Sequence, residues 1–212
     1  MESQDQEHIV MLPFMSQGHL ISFLQLARNL QQRKSLITVT VAGTALNFQY
    51  LRTAITSNSS SQSDSNIRLA EFLFCRIDHD LPPYSENTEN LPLSKIGNLG
   101  AASTSLEAPT HRFISDIIEK EGHSPLCIIS DMYFGWAANL ANSFGTAHVT
   151  FTTGGAYDTA ALVSIWLNLP HRSTVLDELP VLGFPKSYRF HISQLNPYLR
   201  AADGTDFGSR NF

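Results

Sequence analysis

The chain has 212 residues, 42% of them hydrophobic and 16% charged, with a formal net charge of −5. That composition is ordinary for a globular protein and supplies enough apolar material for a sizeable core, in one large domain or two small ones. The acidic balance and the lack of a Lys/Arg cluster argue against nucleic acid as a partner. No apolar run approaches the roughly 20 residues needed to cross a bilayer.

The opening "MESQDQEH" is acidic and polar, unlike a secretory signal, so the cytoplasm is the expected location. Residues 9–14 open on four apolar side chains and read as a first strand. A helical pattern follows over 20–32, with Gly18 and His19 in the intervening turn. "LITVTVA", residues 36–42, is β-branched and alternating, and "IRLAEFLF", residues 67–74, is a third strand. Between them "SNSSSQSDSN", residues 57–66, is a polar low-complexity loop. Residues 93–121 carry helical spacing that Pro109 is expected to bend or split.

"LCIIS", residues 126–130, is short and wholly apolar, as expected of a strand covered on both faces. A helix over 133–143, a strand over 147–151 and a helix over 155–169 complete the regular pattern. Strands alternating with helices predict an α/β fold with a mostly parallel sheet. After Pro170 the periodicity fades, and the rest reads as a connecting segment. Cys75 and Cys127 sit in apolar surroundings and are expected as buried free thiols.

Ligands of open parallel α/β sheets bind at the carboxyl ends of the strands. His19 follows the first strand and Asp131 follows the strand 126–130. If those strands are neighbours, both side chains face one cleft. A histidine backed by a carboxylate is suited to general-base work, the carboxylate holding the ring tautomer and stabilising the imidazolium. Plainer roles stay open: a hydrogen-bonded loop histidine, an N-cap at Asp131, a turn glycine at Gly18 that also permits close backbone approach. The sequence contains neither G-x-G-x-x-G nor G-x-x-x-x-G-K-[ST], and no G-x-S-x-G elbow. A metal at His79 and Asp80 would need ligands from elsewhere. "TTGGAY", residues 152–157, either caps a helix or binds an anion or sugar hydroxyl.

Four stretches in order resemble the plant UDP-dependent glycosyltransferases that act on small molecules: "HIVMLPFMSQGHLISFLQLARNL", "LPPYSENTENLP", "CIISDMYFGWAANLANSFGTAHVTFTTGGAY" and "GFPKSYRFHISQLNPYLRAADGTD". The resemblance implies a Rossmann-like sheet, the N-terminal half of a GT-B fold. It makes His19 the catalytic base and Asp131 the residue that orients it, with an acceptor hydroxyl attacking a UDP-sugar by inversion. Gln17, Gly18 and Thr153 would lie near the donor. Met132, Tyr133 and Phe134 would wall an apolar acceptor pocket for flavonoid, phenolic or terpenoid aglycones, or serve only as packing. The implied co-substrate is a UDP-sugar, expected to be UDP-glucose, with no cofactor and no metal.

The chain departs from the family at Ser22 and Ala45, where proline is common. Family members are about twice as long, and their second domain has no match here. The expected organisation is an acceptor-binding domain over 1–170, the end of that domain and the start of a connection over 171–212, and no donor-binding domain. Such a chain is expected to be inactive alone and to self-associate through its exposed interdomain surface. The competing expectation is a non-catalytic α/β domain that binds a small molecule.

Overall fold

The computed structural model describes residues 7–33, 36–56, 67–75, 77–173, 177–206 and 209. The polar loop expected over 57–66 lies outside the described residues. Among them, β1 (Glu7–Leu12), β2 (Ile37–Thr44), β3 (Ile67–Phe72), β4 (Cys127–Asp131) and β5 (Ala147–Phe151) form a parallel sheet in the order β3-β2-β1-β4-β5. The chain builds outward from β1 on one side, then crosses back to lay β4 on the other. β1 and β4 are therefore direct neighbours, with Met11 opposite Ile129 and Leu12 opposite Ser130. That reversal is the switch point of a doubly wound sheet, where a crevice opens beyond the strand ends.

The two-residue period of the strands feeds two cores. Val10 and Leu12 of β1 face α3 (Ile96–Ala102), α4 (Glu107–Glu121) and α5 (Trp136–Ser143), joining Leu99, Ile114 and Ile128. Ile9 and Met11 face α1 (Gln17–Arg33) and α2 (Ala45–Thr56), joining Phe23, Phe48 and Val39. Coverage on both faces explains why β2 is buried along its whole length. At the amino end of β1, buried His8 shares a hydrogen bond with Glu121 through Nδ1 at 2.9 Å and with Thr40 Oγ1 through Nε2 at 2.8 Å. Burial pushes the His8 imidazole below its usual pKa, although Glu121 opposes the shift.

The third cluster assembles from the stretch whose periodicity could not be read. α6 (Ala156–Asn168) packs Ile165 and Trp166 against Leu179 and Leu199. The short helix α7 (Pro170–Ser173), an antiparallel pair of β6 (Glu178–Pro180) and β7 (Arg189–His191), and α8 (Pro197–Ala201) complete it. Elements of three to five residues are too short to show a hydrophobic period, so this stretch read as a connection.

Four expectations change. α1 begins at Gln17, so Gly18 and His19 occupy its first turn instead of a loop. β2 continues to Thr44 and Ala45 opens α2, a helix the sequence reading passed over. The join is tight: a Cβ on Gly43 would stand 3.2 Å from Phe48 Cε1, so glycine lets α2 fold directly back on its own strand. The long helical stretch breaks at a 3-10 turn, Ser103–Leu106, and Pro109 is only the third residue of α4. There its missing N–H removes no intrahelical bond. Finally, Cys75 is exposed because β3 stops at Phe72, and Cys127 is only half-buried.

Candidate active site

β1 ends at Leu12, and the loop of Pro13 to Ser16 turns the chain into α1. Ser16 O accepts from the backbone N–H of His19 at 3.0 Å and of Leu20 at 2.9 Å, which starts the helix and fixes His19 above the end of β1. Asp131 is the last residue of β4, one strand away. The two meet: His19 Nδ1 donates to Asp131 Oδ2 at 2.5 Å. The Asp131 side chain is fully buried and that of His19 is 21% exposed. The second carboxylate oxygen, Oδ1, accepts from the backbone N–H of Tyr133 at 3.2 Å. Asp131 therefore spends both oxygens on positioning and does not cap α5, which starts only at Trp136.

With Nδ1–H committed to the carboxylate, His19 Nε2 carries the free lone pair, the tautomer a general base requires. The ring is held from the sides as well. Phe14 meets it edge-on with centroids 5.7 Å apart, and Tyr133 lies 5.9 Å away at 50°. Burial, with the Asp131 charge adding to it, pushes the Tyr133 phenol above its usual pKa, so Tyr133 stays neutral beside the pair.

His19 opens into a cavity of about 610 Å³. Phe14, Tyr133, Leu93, Ile96, Leu162 and Trp166 supply apolar and aromatic wall, and the polar lining comes from Ser16, Thr88, Ser94, Asn196 and Tyr198. Among the described residues, no Lys, Arg, Asp or Glu lines the cavity. A wall of this kind suits a largely apolar molecule.

The other expected site residues fall unevenly about this cavity. Tyr133 lines it, whereas Phe134 is 2% exposed in the core, and Met132 is half-buried and not part of the lining. Gln17, Gly18 and Thr153 are exposed at the carboxyl ends of β1 and β5. Gly18 is helical without a positive φ, so it is not a turn glycine; a Cβ there would meet nothing within 4 Å. Ser22 sits inside α1 and donates from Oγ to Gly18 O at 2.9 Å. α6 begins at Ala156 with no side-chain cap; Thr152 instead shares a hydrogen bond with Thr159 at 3.0 Å. Beside Asp131, Ser130 Oγ lies 2.9 Å from His148 Nε2, across the β4–β5 pair and away from the cavity lining. Among the described residues no three His, Cys, Asp or Glu side chains come together in a way that could hold a metal ion.

Sequence reasoning missed Phe14, Ser16, Thr88, Trp166 and Tyr198 as lining residues. Thr88 belongs to the stretch "LPPYSENTENLP", whose family resemblance was its only signal. Tyr198 comes from the segment that read as a connection, so nothing local could have placed it.

Residues 5–173 match the family model described as "Glycosyltransferase, N-terminal domain". The chain belongs to that family. This glycosyltransferase domain is 40% identical over 207 residues to crocetin glucosyltransferase 3 of Crocus sativus, covering 97% of the chain and 42% of that protein. It is 36% identical over 203 residues to UDP-glycosyltransferase 92A1 of Arabidopsis thaliana, covering 93% and 40% respectively. The crystal structure of Glycyrrhiza uralensis UGT73P12 complexed with glycyrrhetinic acid 3-O-monoglucuronide superposes with a TM-score of 0.68 at 23% identity, over 92% of this chain and 38% of that one. At that identity the likeness speaks for the fold, the N-terminal half of GT-B. The domain spans about two-fifths of the length of these relatives. No helix of the described residues is long and apolar enough to cross a membrane.

Proposed function

We propose that this domain binds the acceptor in a UDP-sugar-dependent glycosyl transfer, with His19 as the general base and Asp131 as the residue that orients it. The observation that carries this reading is the 2.5 Å contact between His19 and a fully buried carboxylate, at the mouth of a cavity whose described lining is largely apolar. The acceptor is a small lipophilic molecule bearing a hydroxyl, of phenolic, flavonoid or terpenoid type. Its oxygen attacks the anomeric carbon from the face opposite UDP. The new C–O bond forms as the bond to the diphosphate breaks, the hydroxyl proton passes to His19 Nε2, and the configuration inverts. Asp131 stabilises the imidazolium that results.

Gln17 and Gly18, exposed at the positive end of α1, and Thr153, exposed after β5, are positioned to meet the donor. The donor is a UDP-sugar, with UDP-glucose the reading we favour, and its main binding surface belongs to a region outside these residues. The protein works in the cytoplasm. The domain alone is expected to bind acceptor without turnover.

The test is a chimera in which these residues replace the matching part of crocetin glucosyltransferase 3, assayed for UDP release with UDP-glucose and a panel of phenols. His19→Ala is expected to lower the rate by about 10²–10⁴-fold, and Asp131→Asn to approach the upper end of that range. Undiminished turnover in His19→Ala would overturn the assignment. UDP release by the isolated domain would overturn the dependence on a donor region. Leu182 is 70% exposed and Leu167 is 59% exposed, so the isolated domain is also expected to self-associate. Light scattering that gives a concentration-independent monomer mass would contradict this.

A further inference from the structure

The cavity has a second polar group whose chemistry the transfer reaction does not use. Tyr198, on α8, lines the wall made with α3 and α6, apart from the Phe14–His19–Tyr133 cluster. Its ring meets Trp166 edge-on with centroids 5.8 Å apart. Its hydroxyl lies against bare backbone: a Cβ on Gly97 would stand 2.1 Å from Oη and 2.8 Å from Cε2 and Cζ. Any larger residue at position 97 would drive the ring out, so this seat exists only because α3 carries glycine there.

Among the described residues, Tyr198 Oη has no hydrogen-bond partner, and neither have the hydroxyls of Ser16, Thr88 and Ser94, which line the same cavity. Burial, with the nearby Asp206 charge, pushes the Tyr198 phenol upward, which keeps it a neutral donor and acceptor. A half-buried hydroxyl without a protein partner in an apolar cavity is satisfied by whatever occupies that cavity.

We propose that Tyr198 is a specificity-determining residue, whose phenol, seated on Gly97, recognises a second hydroxyl of the acceptor remote from the one that reacts. The preferred acceptor class is thereby narrowed to neutral polyphenols or diols, over mono-hydroxylated or anionic molecules of equal size. This rests on the acceptor-site reading above.

The test uses pairs that differ by one hydroxyl and whose poorer member carries only one, 4′,7-dihydroxyflavone with 7-hydroxyflavone and 4,4′-dihydroxystilbene with 4-hydroxystilbene, titrated calorimetrically into the 212-residue chain. In at least one pair the wild type is expected to bind the richer member about fivefold more tightly, in line with a single neutral hydrogen bond. Tyr198→Phe should bind both members with the affinity of the poorer one. Gly97→Ala, which displaces the ring by a different route, should lose the same discrimination. Equal binding of both members of each pair by the wild type, or an unchanged ratio in Tyr198→Phe, would overturn the proposal. Saturable binding of neither member by the wild type would overturn the acceptor-site reading itself, an outcome distinct from lost discrimination.

Discussion

Replacing Glu86 by alanine removes the cap of α2, a helix that starts directly from a strand. Glu86 Oε2 accepts from the backbone N–H of Leu46 at 3.1 Å, in the first turn of α2. The same loop is held a second time where Asn47 Nδ2 donates to Glu86 O at 3.1 Å and to Thr44 Oγ1 at 2.9 Å. Thr44, the natural cap by position, is thus engaged with a side chain instead of the helix amides. A charged hydrogen bond is worth about 1.5–3 kcal/mol and a lost helix cap about 1 kcal/mol. These describe one bond and are not summed; for half-buried Glu86 about 1.5 kcal/mol is reasonable. In a domain of this size that lowers Tm by about 3–6 °C. Glu86→Gln keeps an acceptor and loses only the charge at the helix N-terminus, so its Tm should fall by about 1–2 °C. Thr88, two residues on, donates its N–H to Met15 O at 3.1 Å and lines the cavity, so acceptor affinity should fall with stability in the alanine variant. Circular dichroism melts and acceptor titrations on the three proteins decide it. An alanine variant that melts with the wild type would refute the capping argument.

Two further outcomes follow from groups remote from the cavity. The folded protein holds His8 below its usual pKa through burial, so below about pH 6.5 the unfolded chain binds a proton there that the folded chain resists. The contribution of His8 is complete above that pH and is lost as pH falls toward the folded pKa; Glu121, Arg68 and His123 are the charged or titratable groups that act on it. Urea midpoints between pH 7.5 and pH 5.5 should fall more steeply in wild type than in His8→Gln, and parallel slopes would exclude the effect. Exposed Cys75 should react with a thiol reagent well before Cys127, which is half-buried and whose thiol burial pushes up. Equal labelling rates in Cys75→Ser and Cys127→Ser would contradict this.

The strands were legible because β-branched apolar runs in a doubly covered sheet have little else they can be. Their adjacency was not legible: that β1 pairs with β4 depends on where the chain crosses over, and His19 and Asp131 become a pair only through it. The start of α1 was misplaced because Gly18-His19 has poor helix propensity, yet the bonds to Ser16 O begin the helix three residues ahead of the apolar stripe. α2 escaped because its cap arrives from Glu86, far along the chain, and local capping signals say nothing of such a partner. Tyr198 was hidden for a related reason: what makes it part of the cavity is the missing side chain of Gly97, on another helix.

On the proposed reading, the origin of the histidine–carboxylate pair bears on the order of events during transfer. Asp131 belongs to the rigid end of a central strand and His19 to the first turn of a helix packed on the same sheet. The entropy of aligning ring and carboxylate is therefore lost once, when this sheet folds, and not again at each encounter with substrate. On the proposed reading, closure onto a donor would not have to assemble the base. It would only have to bring an anomeric carbon to a nitrogen already aimed.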